Sequence, residues 1–220
     1  MPRVTAVPTP RAVLDAAMLR DAEAHLRRVD PVMARIVEVV GPAPLRINKA
    51  PAFAALLESI VYQQITGKAA ASIHRKLCAA LGRRIPRPED VTAASDAALR
   101  AAGLSRVKVA YIRDLAVRAV SGLPLRSLSR LDDEQVVEAL VAVKGIGRWT
   151  AEMFLMFRLL RPDVLPVGDY GIRKAMQRAY RLRTLPKPDR MQKVAAPWRP
   201  YRSVACWYLW RSLESPAGRA

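Results

Sequence analysis

One short segment of the sequence combines the residue types that a phosphate-binding turn requires. Within residues 140–152, Gly145 and Gly147 flank a single apolar residue, Ile146, and both sides of the turn have the apolar spacing of helices. A tight turn of this kind exposes main-chain N–H groups at the start of the next helix, where the helix dipole also favours an anion. The spacing predicts a helix-hairpin-helix. The alternative is a plain αα-corner in which the glycines serve packing alone.

The charge of the chain indicates which anion such a turn would bind. The 220 residues include 37 Lys and Arg against 19 Asp and Glu, which gives a formal net charge of +18. A surplus of this size favours a polyanion as the partner, rather than an arginine-rich surface that is merely solvated. We therefore expect the turn to bind the backbone of DNA. The residues expected at that contact are Lys144, Gly145, Gly147, Arg148 and Thr150.

A single carboxylate follows the turn in a loop that contains glycine and proline, residues 165–171. By itself Asp169 is typical of an N-cap for a helix that begins at Tyr170. A carboxylate that faces a cleft beside a bound DNA backbone can also stabilise positive charge that develops on a deoxyribose. The residues alone leave both interpretations open.

Several classes of site and protein are excluded early. The only cysteines are Cys78 and Cys206 and the only histidines are His25 and His74, which are too few for a disulfide scaffold, a four-thiolate zinc site or an iron–sulfur cluster. No apolar run reaches the roughly 18 residues that a membrane span needs. Residues 1–11 lack the apolar core of a secretory signal. We expect an intracellular, reduced protein.

Apolar spacing predicts helices almost throughout, and no segment alternates strictly enough for a strand. Asp30-Pro31 separates two helices within residues 13–40, with Asp30 as N-cap and Pro31 as first helical residue. The further predicted helices cover residues 53–61, 68–81, 88–94, 96–102, 107–121, 132–143, 149–160, 170–180 and 201–213. The predicted fold is all-α, with two helical subdomains around a DNA-binding cleft. One subdomain comprises residues 50–154, and the other comprises residues 1–49 with 155–220.

Three separated segments resemble the helix-hairpin-helix DNA glycosylase superfamily, and within it the 3-methyladenine DNA glycosylase II family. The first is Tyr62-Gln63-Gln64-Ile65-Thr66, the second runs from the hairpin at 143–152 through Asp169-Tyr170, and the third covers residues 198–211. The hairpin alone is not specific to this family, but the three segments together are. The resemblance spans about residues 50–213.

The resemblance implies an enzyme of base excision repair. It would flip an alkylated purine, such as 3-methyladenine or 7-methylguanine, out of duplex DNA and hydrolyse its N-glycosidic bond. Asp169 falls on the family's catalytic aspartate, which stabilises an oxocarbenium-like sugar and orients or deprotonates water. Trp149 and Trp210 fall on positions that line the base pocket, and Tyr62 is a further candidate. For Trp198 and Trp207 we expect core packing instead.

The resemblance also assigns a wedge. In this family the segment Gln63-Gln64-Ile65 inserts a side chain into the space that the flipped base leaves, and we expect Gln64, then Ile65, to do so. An ordinary polar turn is the alternative from the residues alone. The family's hairpin commonly binds a monovalent cation, Na⁺ or K⁺, through main-chain carbonyls. Here these would be the carbonyls of Val141, Val143 and Ile146, and no cofactor is expected to be required.

The position of one lysine distinguishes the lyase members of the superfamily from its monofunctional glycosylases. Its lyase members carry a Schiff-base lysine at the second residue after the glycine turn, where this chain has Trp149. We therefore expect a monofunctional glycosylase that leaves an abasic site. The alternatives are a bifunctional oxidised-base glycosylase/lyase and a non-catalytic helix-hairpin-helix DNA-binding module. We expect damaged duplex DNA as the partner, no membrane association, a monomer, and a cytoplasmic, nucleoid-associated protein.

Overall fold

The computed structural model describes residues 13–44 and 50–214 of this protein. All the regular secondary structure in these ranges is helical. The prediction of an all-α fold is confirmed. The chain forms two compact units. We call residues 50–154 the central unit, and residues 13–44 with 155–214 the terminal unit. None of the helices in the described ranges is long and apolar enough to cross a membrane.

Twelve α-helices make up the described part of the chain. In order they are α1 (Ala16–Val29), α2 (Pro31–Val40), α3 (Ala52–Tyr62), α4 (Gly67–Ala80), α5 (Pro88–Ala93), α6 (Asp96–Ala101), α7 (Arg106–Val120), α8 (Asp133–Val141), α9 (Arg148–Phe157), α10 (Tyr170–Ala179), α11 (Pro188–Val194) and α12 (Arg202–Glu214). Two short 3₁₀ helices, Leu128–Arg130 and Ala196–Trp198, lie between them.

Polar caps explain where many of these helices begin. A side-chain oxygen at the N-cap accepts a hydrogen bond from a main-chain N–H of the first turn, which would otherwise lack a partner. The caps of this kind are Asp15, Asp30, Thr66, Ser95, Ser105, Asp132 and Asp169. The predicted break at Asp30-Pro31 is confirmed, because Asp30 caps α2 and Pro31 is its first residue.

Two differences from the predicted helices have local causes. Helix α9 ends at Phe157 rather than residue 160, because Leu160 adopts a left-handed φ of 53° and the N–H of Arg161 bonds back to the carbonyl of Leu155. Such a helix end normally contains glycine, so the sequence gives no signal there. Helix α11 was not predicted, since it is short and cationic and buries only Met191.

The core of the central unit is built around α3. Its predicted apolar face is confirmed, with Leu56, Leu57, Ile60 and Val61 fully buried. Full burial of such a side chain contributes roughly 1.5–3 kcal/mol. Helix α7 packs against both α3 and α5, so it lies at the centre of this unit.

The predicted helix-hairpin-helix is formed by α8, the hairpin turn (residues 142–147) and α9. Val143 and Ile146 are buried, and the N–H of Ile146 donates to the carbonyl of Val143 at 3.1 Å. Gly145 has a φ of 81°, and a Cβ built there would lie 2.1 Å from Cδ2 of Tyr111 on α7. Position 145 therefore requires glycine twice, for its backbone conformation and for the close approach of the tyrosine ring.

A buried carboxylate joins the elements of the terminal unit. Oδ1 of Asp30 accepts from the N–H groups of Val32 and Met33, while Oδ2 accepts from the hydroxyl of Tyr180 at 2.6 Å and from Nε1 of Trp198 at 2.8 Å. Burial, and then the bond to Asp30, raise the pKa of Tyr180 well above its ordinary value. Trp198 is fully buried, which confirms its predicted role in core packing. Asp30 thus connects α2 with the ends of α10 and the second 3₁₀ helix.

We expect Asp30→Ala to lower the free energy of unfolding by about 3 kcal/mol or more, because it leaves buried donors without an acceptor. Asp15→Ala is the matched control, since Asp15 is an exposed N-cap whose carboxylate accepts from the N–H of Met18 alone among the described residues. It should cost about 1 kcal/mol. Chemical denaturation measures both values, and equal losses would contradict the anchoring role of Asp30.

We expect Gly145→Ala to destabilise the protein by about 2 kcal/mol, from backbone strain and displacement of the Tyr111 ring. Gly67→Ala is the control within the same unit, because the space beside Gly67 is open and its φ is not left-handed. Denaturation of this control should show unchanged or slightly higher stability. A loss as large in Gly67→Ala as in Gly145→Ala would disprove the stated cause.

Candidate active site

Asp169 lies at the first turn of α10, where its carboxylate is held in one orientation. Its Oδ1 accepts from the N–H of Ile172 at 2.7 Å and from Nε1 of Trp210 at 2.9 Å. The residue is 8% exposed. The N-cap interpretation is therefore confirmed, and the structure adds an indole donor from α12. A carboxylate fixed by two N–H groups is oriented before any ligand binds.

The space beside Asp169 is shaped by a glycine and two aromatic rings. A Cβ at Gly171 would lie 3.0 Å from Cδ1 of Trp210 and 3.1 Å from Oδ1 of Asp169, so a larger residue there would have to displace these groups by a few tenths of an ångström. The ring of Phe157 lies 5.8 Å from that of Trp210, centroid to centroid, and Phe157 is 45% exposed. Within the terminal unit, Trp210 thus links the buried carboxylate of Asp169 to the exposed ring of Phe157.

A cavity of about 640 Å³ also lies in the terminal unit, but it is not at the carboxylate. The lining of this cavity is mostly apolar and includes Phe157 and Trp207. Neither Asp169 nor Trp210 is among its lining residues. Trp207 is half-buried, so its predicted core packing is only partial. The cavity is therefore not the place where the Asp169 carboxylate could act.

The predicted wedge residues lie in the 63–66 loop, between α3 and α4. Gln64 is exposed and has a left-handed φ of 56°, a conformation that costs a glutamine residue about 1 kcal/mol or more. Ile65 is 38% exposed. Gln63 differs, because its side-chain Nε2 donates to the carbonyl of Gly145 at 2.8 Å. The loop therefore presents Gln64 and Ile65 to solvent and uses Gln63 to contact the hairpin turn.

The hairpin turn presents some of the predicted DNA-binding groups and not others. Lys144 and Gly147 are exposed beside the first turn of α9. Arg148 instead forms a bidentate ion pair with Glu134, at 2.7 Å for each bond, and a second pair with Glu152. These bonds raise the pKa of Arg148 and lower that of Glu134. The Arg148 charge is thus partly compensated within the protein.

Thr150 differs from the other predicted DNA-binding residues of the hairpin in being buried. It is only 8% exposed, so its side chain packs inside the central unit. This burial counts against a contact between the Thr150 side chain and DNA.

The aromatic candidates are divided between the two units. Tyr62 and Trp149 belong to the central unit and are 37% and 48% exposed, so neither is a core residue. Trp210 belongs to the terminal unit and is half-buried against Asp169. The sequence analysis missed Phe157, which is exposed at the last residue of α9. It also missed Tyr111, because the contact between Tyr111 and Gly145 joins residues far apart in the sequence.

The carbonyls proposed for a monovalent cation surround the hairpin turn. That of Val143 accepts the Ile146 N–H, which leaves one lone pair of the oxygen for another partner. The buried side chains of Val143 and Ile146 fix the main chain there, while Val141 is 41% exposed. Uncharged carbonyl oxygens of this kind suit a hard monovalent cation. The set therefore fits Na⁺ or K⁺ in the chemistry of its donors.

Comparison with known proteins gives consistent matches over most of the chain. The family described as HhH-GPD superfamily base excision DNA repair protein matches residues 57–200. DNA-3-methyladenine glycosylase 1 of Schizosaccharomyces pombe is 34% identical over 201 residues, which cover 89% of this chain and 88% of that protein.

Solved structures agree with the sequence matches. The S. pombe 3-methyladenine DNA glycosylase in complex with abasic DNA has a TM-score of 0.78 at 33% identity, covering 89% of this chain and 98% of that one. A DNA-3-methyladenine glycosidase from Bacillus halodurans has a TM-score of 0.79 at 36% identity, covering 89% and 90%. The family expected from the sequence is confirmed, and the chain belongs to the HhH-GPD superfamily of base excision DNA repair proteins.

Proposed function

We propose that this protein is a monofunctional DNA glycosylase that hydrolyses the N-glycosidic bond of alkylated purines in duplex DNA, in base excision repair. Membership of the HhH-GPD superfamily and the names of its relatives support this function. The observation that carries the proposal is the Asp169 carboxylate, held by the N–H of Ile172 and by Nε1 of Trp210. We take 3-methyladenine and 7-methylguanine as the substrates.

The proposed reaction needs little help at the leaving group. Alkylation gives the purine a positive charge, so the electrons of the breaking bond between C1′ and the base nitrogen neutralise the base as it departs. Positive charge then develops on the deoxyribose, and the Asp169 carboxylate stabilises it. Water adds to C1′ and loses a proton to Asp169 or to solvent. The products are a free neutral base and an abasic site.

Aromatic side chains supply the proposed recognition of the base. A cationic base over the face of an indole or phenol ring gains roughly 0.5–2 kcal/mol. Trp149 and Tyr62 in the central unit, and Trp210 in the terminal unit, are the side chains that we propose to contact it. Trp210 has a second role as the donor to Asp169. Core packing, the alternative for Trp149 and Tyr62, is disfavoured by their exposure.

The central unit supplies the proposed grip on the duplex. The main-chain N–H groups at the start of α9, together with Lys144 and Gly147, would bind a phosphate, and Gln64 or Ile65 would fill the space left by the base. The carbonyls of Val141, Val143 and Ile146 would hold Na⁺ or K⁺, which supplies positive charge beside that phosphate. We further propose that catalysis requires no cofactor and that the protein acts as a monomer, cytoplasmic and nucleoid-associated.

We expect Asp169→Asn to slow base release by at least about a hundredfold, because it removes the charge that stabilises the sugar. Asparagine is as good an N-cap as aspartate, so α10 should remain folded. The measurement is single-turnover release of 7-methylguanine from a duplex with one lesion, alongside the Kd for that duplex, which should change little. Asp21→Asn is the control, since it removes an equal charge from the exposed surface of α1.

Two results would contradict the proposed chemistry. Absence of base release by the wild-type protein from any alkylated duplex would favour the non-catalytic DNA-binding module. Strand breaks before alkali treatment, together with a covalent complex trapped by borohydride, would favour the glycosylase/lyase.

A cationic surface follows Asp169 in the terminal unit. Seven cationic side chains lie within residues 174–193, where Asp189 is the only acidic residue. All seven are exposed, and none forms an ion pair among the described residues: Lys174, Arg178, Arg181, Arg183, Lys187, Arg190 and Lys193. We propose that this surface contributes phosphate contacts.

We expect the double variant Lys174→Gln/Arg178→Gln to reduce the salt dependence of duplex binding. The slope of log K against log salt should fall by about 0.9 for each lost phosphate contact. Arg20→Gln/Arg35→Gln is the control, because it removes two exposed cations from α1 and α2. Equal slope changes in the two double variants would indicate an effect of net charge alone.

A further inference from the structure

Helix α7 contacts both the 63–66 loop and the hairpin turn from one face. Lys108, Tyr111 and Asp114 are spaced three residues apart, so their side chains lie on the same side of the helix. Lys108 bonds to the end of α3, whereas Tyr111 and Asp114 contact the turn. Nothing in the sequence patterns connects this face with either segment.

Lys108 fixes the end of α3 at the start of the 63–66 loop. Its Nζ donates to the carbonyl of Val61 at 2.6 Å and to that of Gln63 at 2.7 Å. These carbonyls lie at the C-terminus of a helix, where the dipole favours a cation. Burial lowers the pKa of Lys108, which is half-buried. Because its ammonium group bonds to two main-chain oxygens, Lys108 is poorly placed to bind a phosphate or to attack a sugar.

Tyr111 and Asp114 fix the hairpin turn. The ring of Tyr111 covers Gly145 at a distance that excludes any side chain there. Oδ2 of Asp114 accepts from the N–H of Lys144 at 2.8 Å and from Nε of Arg118 at 2.7 Å. Although burial alone would raise it, these bonds hold the pKa of Asp114 below its ordinary value.

Gln63 closes the network between the two segments. Its main-chain carbonyl accepts from Lys108, and its side chain donates to the carbonyl of Gly145. The next residue, Gln64, has the left-handed φ of 56°. A strained conformation of this kind persists only where the surrounding contacts over-determine it. Lys108 and Gln63 supply those contacts.

We propose that Lys108 is a positioning residue for base flipping, which holds the 63–66 loop so that Gln64 is presented to the duplex. This inference rests on the proposed function, since it assigns a role within the flipping step. Lys108 acts through the loop and touches neither the base nor the sugar. If the loop populates this conformation only 1–10% of the time without Lys108, flipping falls about 10- to 100-fold.

The test uses Lys108→Met in the full chain, with Arg106→Met as the matched control. Arg106 is exposed on the same helix, so the control removes an equal charge without touching the loop. Two readouts are measured: single-turnover release of 7-methylguanine from a fully paired duplex, and fluorescence of a 2-aminopurine beside the lesion, which reports unstacking. We expect Lys108→Met to lower both rates at least tenfold and Arg106→Met to change them less than about threefold.

A double-variant cycle separates positioning from a general structural role. Gln64→Gly removes the wedge side chain and accepts the left-handed φ. In that background Lys108→Met should change the rate less than about threefold, because the side chain that it positions is absent. An equal loss in both backgrounds would overturn the proposal, as would a normal flipping rate in Lys108→Met.

Further variants keep the two proposals distinguishable. Lys108→Arg retains the charge and the donors, so it should restore flipping to within about threefold of wild type. If Lys108→Met fails to fold, Lys108→Arg and the fluorescence readout still test the positioning role. A tenfold loss of flipping rate in a folded Lys108→Arg variant would overturn the proposal if the loss persists in the Gln64→Gly background. If the wild type flips the base but releases none, the glycosylase function fails while the positioning role stands on the fluorescence readout.

Discussion

Two N–H groups donate hydrogen bonds to one oxygen of Asp169, and the arrangement of the terminal unit around α10 depends on these two bonds. One donor is the main chain of Ile172 and the other is the indole of Trp210. The carboxylate therefore caps the N-terminus of α10, orients a large aromatic ring, and is itself oriented. Gly171 fits closely beside the same contact, because a Cβ there would lie 3.0–3.1 Å from Trp210 and Asp169. One polar interaction thus combines a helix cap with the geometry that charge stabilisation requires.

Some of the cationic side chains of this protein are paired within the fold, whereas others are exposed without an ion pair among the described residues. The charge of Arg148, next to the hairpin turn, is partly compensated by Glu134 and Glu152, and Lys108 donates hydrogen bonds to main-chain carbonyls. The cations of residues 174–193, in contrast, are exposed. Position in the sequence beside a motif is therefore a poor guide to which charges can meet a phosphate. Ion pairs within the fold decide that question.

Much of this fold could be predicted because its signals are local. The apolar face of α3, the cap at Asp30 and the glycines of the hairpin turn each follow from residues within one or two helical turns. What could not be predicted depends on distant contacts or unusual conformations. Tyr111 meets Gly145 across the central unit, Leu160 ends α9 in place of a glycine, and Trp210 reaches Asp169 from α12. For the candidate site, the residues could be named from the resemblance. Their hydrogen-bond and packing partners could not, because these partners are distant in the sequence.

The order of segments along the chain has a consequence for synthesis of the protein. The central unit is one continuous stretch, so all its parts have been translated once residue 154 has been added. The terminal unit joins residues near both ends, and Asp30 receives hydrogen bonds from Tyr180 and Trp198. A nascent chain can therefore complete the central unit first on the ribosome, whereas α1 and α2 must wait for α12. The carboxylate of Asp169 reaches its final surroundings only after Trp210 has been translated, so a product truncated before that residue would lack one of the two donors that orient it.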